Sequence, residues 1–378
     1  MNAQHQIGVP VGLPVGEVDT PALLLDLDAL ERNIARMAEL ASGAGIAYRP
    51  HAKSHKSPVI AGMQLAAGAA GVCCAKLGEA EVMAAAGIGD ILITSPVIGA
   101  GKIERLVQTA RRAAIAVVAD DAGNIDDLAR AAQDANVGRD VVIEVVIEVD
   151  VGQGRCGVAP GPAAAELAER IAAAPGLRFR GLQGYQGLIQ MTPDFAARRD
   201  ASLDALDRLL ETAEQVRGRG IEVAVLTGGG TGTSVIDAAR GGLTEIQPGG
   251  YIFMDSRYGG IEWDDGNPTP FEKSLTLRAT VISRPAANRA ILDMGYKAVS
   301  SDGGLPVPID APGATFGFAG EEHGELTYEG ACPLEIGDAV EFWPSHCDTT
   351  VNLYDRYVCT RNGIVEAVWE IAARGKSQ

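Results

Sequence analysis

Short β-branched runs alternate with helical stretches between about residues 47 and 250, and this alternation constrains the fold more than any other feature of the chain. Eight strand-like runs occur there: 47–53, 71–75, 90–95, 115–120, 141–149, 178–183, 223–227 and 244–247. Helical periodicity lies between them, for example at 79–86, 102–112, 125–133 and 202–217. Eight alternating units predict an α/β fold, a closed (β/α)8 barrel of the TIM type. An open doubly wound sheet is the alternative, which the number of repeats disfavours.

The character of the chain changes after about residue 270. Segments at 274–283, 290–293, 339–343 and 357–359 are β-like and are separated by turns rich in Gly, Pro and Asp. They predict a second, mostly-β domain. A further strand at 20–26 is expected to pair with that domain instead of entering the barrel. The predicted division is therefore an N-terminal segment at 1–27, a barrel at 28–268 and a β domain at 269–378.

Charge and composition exclude several classes of function. The formal net charge is −17, which argues against nucleic acid and anionic membrane as partners. No apolar run approaches the roughly 20 residues that span a bilayer. The N-terminus lacks the pattern of a secretory signal, and the six cysteines show no C-x-x-C spacing. These features predict a cytoplasmic protein with free thiols.

A lysine framed by histidines lies at the end of the first predicted barrel strand, in the run from Arg49 to Lys56. Barrel enzymes place their chemistry at this rim, where Lys53 would form a Schiff base with an aldehyde cofactor. His51, His55 and Lys56 are expected to supply positive charge that lowers the pKa of Lys53. The alternative is that Lys53 is an ordinary solvated loop residue.

Two glycine-containing segments also follow predicted strands. The segment 227–232, Thr-Gly-Gly-Gly-Thr-Gly, follows the seventh strand, where barrel enzymes usually bind phosphate. Backbone N–H groups of Gly229 and Gly230, with the hydroxyls of Thr227 and Thr231, would converge there on an anion; a simple tight turn is the alternative. Arg155, flanked by glycines after the fifth strand, is either a ligand of a phenolate oxygen or a surface residue.

His346 and Asp348 form an H-x-D pair in the second predicted domain. On a strand, this spacing places both side chains on one face, where they would bind a single ion. Imidazole and carboxylate suit Mn²⁺, Mg²⁺, Co²⁺ or Zn²⁺, and only two protein ligands would leave the ion open to substrate. Incidental occurrence is the alternative, and Cys347 between them is expected to face the opposite side.

Six motifs taken together resemble one family: RPHAKSHKSP, GVCCAKLGEAE, EVDVGQGRCGV, LTGGGTGT, IQPGGYIFMD and PSHCDTTVNLYD. They are similar to those of the D-threonine aldolase and D-serine dehydratase group, which are fold-type III pyridoxal-phosphate enzymes related to alanine racemase. The resemblance covers nearly the whole chain. It implies a pyridoxal-phosphate barrel joined to a β domain, and a homodimer.

The resemblance also assigns roles to residues. Lys53 would bind pyridoxal 5'-phosphate covalently, and Arg155 would contact its phenolic oxygen. Gln247 lies where the racemase relatives carry an Arg beside the pyridine nitrogen, so a neutral partner is expected there. The expected cofactor-binding residues are Lys53, Arg155, Tyr185, Thr227, Gly229, Gly230, Thr231 and Gln247, and the expected metal ligands are His346 and Asp348.

Within this family, aldolases carry H-x-D at the metal and D-serine dehydratases carry H-x-C. The H-x-D of this chain favours an aldolase that cleaves D-3-hydroxy amino acids to glycine and an aldehyde, or to glyoxylate when the substrate is 3-hydroxyaspartate. A dehydratase releasing ammonia and a keto acid, an amino-acid racemase and a non-catalytic cofactor carrier are the alternatives.

One position departs from the family pattern. The resemblance implies a His shortly after the Tyr-x-Gly segment that begins at Tyr185, but this chain has Met191 there. A thioether cannot act as a base, so His55 or a metal hydroxide is expected to take that role, or the substrate differs from the usual one.

Overall fold

A computed structural model describes residues 11–135, 142–264 and 266–378 of the chain. The first sheet has eight parallel strands, which are β2 Ala47–Tyr48, β3 Val72–Cys74, β4 Asp90–Ile93, β5 Ala114–Ala119, β6 Ile143–Glu148, β7 Leu177–Gly184, β8 Val225–Gly228 and β9 Glu245–Ile246. Helices precede the first of these strands or connect them, namely α1 Leu27–Gly43, α2 Pro58–Ala66, α3 Leu77–Ala85, α4 Ala100–Ala110, α5 Ala122–Ala135, α6 Pro162–Ala173, α7 Phe195–Gly218 and α8 Ser234–Arg240.

The eight strands form a closed barrel. Hydrogen-bonded neighbours run in the order β2-β9-β8-β7-β6-β5-β4-β3. The two ends of this series meet beyond the short β2, where Cys73 N donates to Pro50 O at 2.9 Å and Ala52 N donates to Cys73 O at 2.7 Å. The predicted (β/α)8 barrel is confirmed, and the open doubly wound sheet is excluded.

Local sequence explains the barrel elements. β5 reads AIAVVA and is buried along nearly its whole length, as expected for a strand covered by helices on one face and by the barrel interior on the other. α1 and α7 begin at aspartates, because Asp26 accepts a hydrogen bond from Ala29 N at 3.0 Å and Asp194 accepts one from Ala197 N at 2.7 Å.

The second sheet is mostly antiparallel and contains nine strands, which are β1 Ala22–Asp26, β10 Leu275–Ala286, β11 Arg289–Leu292, β12 Val307–Pro308, β13 Thr315–Phe318, β14 Gly324–Thr327, β15 Ala339–Trp343, β16 Arg356–Arg361 and β17 Ile364–Glu370. β1 lies between β10, to which it is antiparallel, and β16, to which it is parallel. The chain thus passes through the second sheet in β1 before α1 enters the barrel. A short helix, α9 Cys347–Val351, follows β15.

An ion cluster joins the barrel strands at their buried base. The guanidinium of Arg49 is 1% exposed and lies 2.9 Å from Glu245 and 2.7 Å from Asp90. Gly71 makes room for it, because a Cβ at that position would lie 2.0 Å from Arg49 Nη1. A guanidinium buried in this way is stable only when carboxylates remain beside it.

We expect Arg49→Met to lower the free energy of unfolding by about 3 kcal/mol or more, because it leaves Glu245 buried without its cation. Unfolding in urea measures the change. The double variant Arg49→Met/Glu245→Leu should recover part of the loss, since no buried charge is then left unpaired on that side.

Arg32→Met is the matched control, because Arg32 pairs with Glu272 at the surface, where both side chains are more than half exposed. It should change stability little. Equal losses from Arg49→Met and Arg32→Met would contradict a structural role for the buried cluster.

Candidate active site

One cavity of about 260 Å³ lies at the carboxyl ends of the barrel strands. Seven of the eight barrel strands, all except β5, contribute through their carboxyl ends or the loops that follow them, which is where barrel folds position chemical groups. The start of α9 covers the opposite side. Eight of the eleven predicted site residues line this cavity: Lys53, Arg155, Tyr185, Gly230, Thr231, Gln247, His346 and Asp348.

Three predicted site residues do not line the cavity. His55 is fully buried, and its Nδ1 accepts a hydrogen bond from Ser57 N at 3.1 Å. Thr227 is buried behind the cavity and donates to Glu245 at 3.0 Å. Gly229 faces Asp237, and its φ of +66° is a left-handed conformation that glycine adopts without strain. These three therefore lie behind the cavity wall and do not line it.

The electrostatics around Lys53 differ from the expectation. Asp348 Oδ2 lies 3.4 Å from Lys53 Nζ and raises the pKa of the amine above its ordinary value. Burial lowers the pKa of His55 to about 4, and burial together with Lys53 lowers the pKa of His51 well below its ordinary value. Both imidazoles are thus neutral at pH 7, while Lys56 pairs with Glu79. The prediction of a positive neighbourhood that lowers the pKa of Lys53 is wrong.

The predicted metal ligands meet in a different local structure. His346 has extended backbone angles and caps the N-terminus of α9, whereas Asp348 lies in the first turn. The prediction that both belong to a strand is wrong, yet both line the cavity because the chain turns between them. Cys347 is buried, with its Sγ 3.8 Å from Met254 O, so it does pack away from the site.

A carboxylate orients His346. Asp302 Oδ2 lies 2.6 Å from His346 Nδ1 and leaves Nε2 of the ring free for another ligand. Burial acts to raise the pKa of Asp302, but hydrogen bonds from His346, Thr349 and Ser300 hold it at about 2. Histidines that bind metals are commonly held by such a carboxylate. The arrangement therefore fits a metal ligand.

The Gly-rich segment is held by a buried network. Thr233 Oγ1 accepts from Gly230 N at 3.2 Å and donates to Asp237 Oδ2 at 2.6 Å. Thr231 Oγ1 accepts from Tyr251 N at 3.0 Å. A Cβ at Gly232 would lie 2.0 Å from the carbonyl oxygen of Gln190, so only glycine fits this turn. The result is a rigid polar cradle at the cavity wall, built from hydrogen bonds within the protein.

Gln247 ends two chains of hydrogen-bonded side chains, one through Gln183 and one through Thr227. Its Nε2 donates to Gln183 Oε1 at 2.8 Å and to Thr227 Oγ1 at 2.9 Å. Gln183 in turn donates to the buried Glu148, whose pKa is raised by burial to about 8. This carboxyl is neutral at pH 7, so the side chains that follow Gln247 through Gln183 carry no charge.

Several residues that line the cavity were not predicted from the sequence, among them Asp255, Arg257 and Tyr258. These three lie on the connection between the barrel and the second sheet. The motif IQPGGYIFMD ends at Asp255 and was the available signal. Met191 also lines the cavity, as its place in the motif predicted.

Comparison with known proteins identifies the family. Residues 25–257 match the family "Alanine racemase, N-terminal domain", and residues 274–360 match "Putative serine dehydratase domain". The chain is 44% identical to the D-threonine aldolase of Arthrobacter sp., over 97% of this chain and 96% of that protein. It belongs to the D-threonine aldolase-like family.

Other members of the D-threonine aldolase-like family are also similar over nearly their whole lengths. The 3-hydroxy-D-aspartate aldolase of Paracoccus denitrificans (strain Pd 1222) is 38% identical, over 97% of this chain and 94% of that protein. Among solved structures, D-threonine aldolase from Filomicrobium marinum superposes with a TM-score of 0.93 at 41% identity, covering 97% of this chain and 99% of that one. D-threo-3-hydroxyaspartate dehydratase from Delftia sp. HT23 has a TM-score of 0.83 at 27% identity, covering 94% and 98%.

The contact between Lys53 and Asp348 predicts a pH effect. Only a neutral amine captures an aldehyde, and Asp348 raises the pKa of Lys53. In Asp348→Asn, the pKa of Lys53 should fall, so apoenzyme in EDTA should capture pyridoxal phosphate at lower pH than the wild type does. The rate at which the visible band of the bound cofactor develops, measured across pH, tests this.

Asp302→Asn is the control for that experiment, because Asp302 contacts His346 and not Lys53. Its pH profile should match that of the wild type. An unchanged profile in Asp348→Asn, or one shifted to higher pH, would contradict the assignment.

Proposed function

We propose that this protein is a lyase, dependent on pyridoxal phosphate and a divalent metal, that cleaves the Cα–Cβ bond of D-3-hydroxy amino acids to glycine and an aldehyde or glyoxylate. The observation that carries the proposal is the distance of 3.4 Å between Lys53 and Asp348. At this distance, the amine that would bind the cofactor and a carboxylate that would bind the metal lie in one cavity. The similarity to two aldolases at 44% and 38% identity supports the same reaction.

The residues fit both groups. Lys53 supplies the amine, Arg155 an anion-binding guanidinium, and Gly230 and Thr231 the cradle for phosphate. His346 and Asp348 offer a nitrogen and an oxygen to Mn²⁺, Mg²⁺, Co²⁺ or Zn²⁺. Within residues 11–135, 142–264 and 266–378, no three His, Cys, Asp or Glu side chains converge in the manner of a closed metal site. A two-ligand site stays open to a substrate hydroxyl.

Bound pyridoxal phosphate supplies an electron sink for the Cα–Cβ bond, and a bound divalent ion lowers the pKa of a hydroxyl that it contacts. The side chains then have separate tasks. Lys53, beside Asp348, can hold a proton at Nζ for delivery to Cα. Met191 holds no proton, and His55 lies away from the cavity, so we do not assign either as the base. Asp255 and Asp348 are the carboxylates that face the cavity.

Two observations favour the dehydratase alternative, the match of residues 274–360 to a putative serine dehydratase domain and the 27% identity to the Delftia dehydratase. The position of Cys347 counts against it. Its thiol is buried and directed away from the cavity, whereas Asp348 lines the cavity. The metal pair is therefore of the H-x-D type that aldolases of the family carry.

The proposal also covers the oligomeric state, the domain division and the location of the protein. We propose a homodimer, in line with the family resemblance, and the division at 1–27, 28–268 and 269–378. None of the described helices is long and apolar enough to cross a membrane. All six cysteines are unpaired and five are buried, which supports a cytoplasmic location.

Purified protein with pyridoxal phosphate and Mn²⁺ should release glycine from D-threonine, D-phenylserine or D-3-hydroxyaspartate. EDTA should abolish the release, because the β-hydroxyl then keeps its ordinary pKa. Lys53→Ala should lose the visible absorbance band of the bound cofactor together with the activity. A glycine assay and an absorbance spectrum measure both.

The L-enantiomers serve as control substrates and should release no glycine. Keto acid and ammonia without glycine would select the dehydratase. Racemisation that EDTA does not affect would select the racemase, and a bound cofactor without turnover of any amino acid would indicate a carrier.

A further inference from the structure

The cavity contains three cationic side chains, and two of them have partners. Lys53 lies beside Asp348, and the guanidinium of Arg155 lies 5.5 Å from the ring centre of Tyr185. The guanidinium of Arg257 forms no ion pair or hydrogen bond with any part of the chain that the structure describes. The chain has 49 acidic and 32 basic residues, and the exposed Arg257 nevertheless faces this cavity without a carboxylate partner. Its N–H donors are available to a ligand.

Arg257 lies on the metal-ligand side of the cavity. A Cβ added at Gly303 would lie 2.9 Å from Arg257 Cδ and 3.0 Å from His346 Cβ, so these two side chains flank the same glycine. The backbone around Arg257 is tied to α9 as well. Asp255 accepts hydrogen bonds from Tyr258 N at 2.9 Å and from Cys347 N at 3.4 Å.

This position decides which part of a substrate Arg257 can reach. In the proposed reaction, the β-hydroxyl lies beside His346 and Asp348, and therefore the other substituent on Cβ lies on that side of the cavity too. A methyl substituent would leave the guanidinium of Arg257 without a partner. A carboxylate would match its planar, two-pronged set of donors.

We propose that Arg257 binds a carboxylate carried on Cβ of the substrate, so that the site selects D-3-hydroxy amino acids with an acidic side chain over those with an alkyl one. The inference rests on the proposed function, because that function places the β-hydroxyl at His346 and Asp348. D-3-hydroxyaspartate is the probe of the acidic class, and D-threonine is the probe of the alkyl class.

The first experiment measures kcat/KM of the holoenzyme for both probes. Arg257→Gln should lower the ratio of kcat/KM for D-3-hydroxyaspartate to that for D-threonine by about 10- to 100-fold, the loss typical of a charge-assisted hydrogen bond. Arg257→Lys keeps the charge without the two-pronged geometry and should lower the ratio less.

The second experiment separates this inference from the proposed function, because it needs no bond cleavage. D-Aspartate and D-2-aminobutyrate are the two probes without the β-hydroxyl, and their binding to the holoenzyme is measured by calorimetry. Wild type should bind D-aspartate more tightly than D-2-aminobutyrate, and Arg257→Gln should abolish that preference. The visible cofactor band and the melting temperature report whether each variant is folded and loaded.

An unchanged preference in Arg257→Gln would overturn the inference and make Arg257 an ordinary solvent-facing residue. Equal losses for the acidic and the alkyl probes would also overturn it, since Arg257 would then bind the α-carboxylate that all of them share. If no probe yields glycine, the proposed function fails, while the calorimetric comparison still decides whether Arg257 recognises a side-chain carboxylate.

Discussion

The active site depends on one contact between distant parts of the chain, the pairing of Lys53 from the barrel rim with Asp348 from α9. Two further bonds hold these parts together. Tyr357 Oη donates to His55 O at 2.7 Å, and Ala373 N donates to Lys56 O at 3.0 Å. The backbone carbonyls just after Lys53 are thus bound by the C-terminal part of the chain, which fixes the amine relative to the carboxylate.

This fixation includes a strained residue. Lys56 has a φ of +52°, which a residue with a Cβ adopts only when its surroundings enforce it. Its side chain pairs with Glu79 in the barrel, and its carbonyl accepts from Ala373 N. These two contacts hold Lys56 in its strained conformation. It lies three residues beyond Lys53, whose amine is proposed to bind the cofactor.

Periodicity was sufficient to predict the barrel, because strand and helix signals are local and repeat eight times. It also located Lys53 and Gly230 correctly, since both follow strands at the rim. The charge environment of Lys53 could not be predicted in this way. His51 and His55 are close in sequence but buried and neutral, whereas Asp348, which sets the pKa of the amine, is distant in sequence. Burial and long-range contacts decide pKa values, and neither is visible in a local motif.

The predicted residues that do not line the cavity, and the lining residues that were not predicted, have a similar explanation. Thr227 and Gly229 belong to the phosphate-loop motif, but Thr227 bonds to Glu245 and Gly229 packs against Asp237, so only part of the motif lines the cavity. Arg257 and Asp255 were missed for the opposite reason, because they lie on the irregular connection between the barrel and the second sheet, which carries no periodic signal.

Two parts of the chain form the cavity, namely the barrel loops and the connection together with α9. The barrel loops supply the amine, the cradle and the neutral Gln247, which together suit a cofactor common to many reactions. The connection and the start of α9 supply Arg257, His346 and Asp348, which also line the cavity and are proposed to contact the substrate. Changes in the second set can alter the substrate or the bond that breaks while the barrel stays intact. Relatives that share this fold but are named for aldolase or dehydratase reactions are consistent with that division.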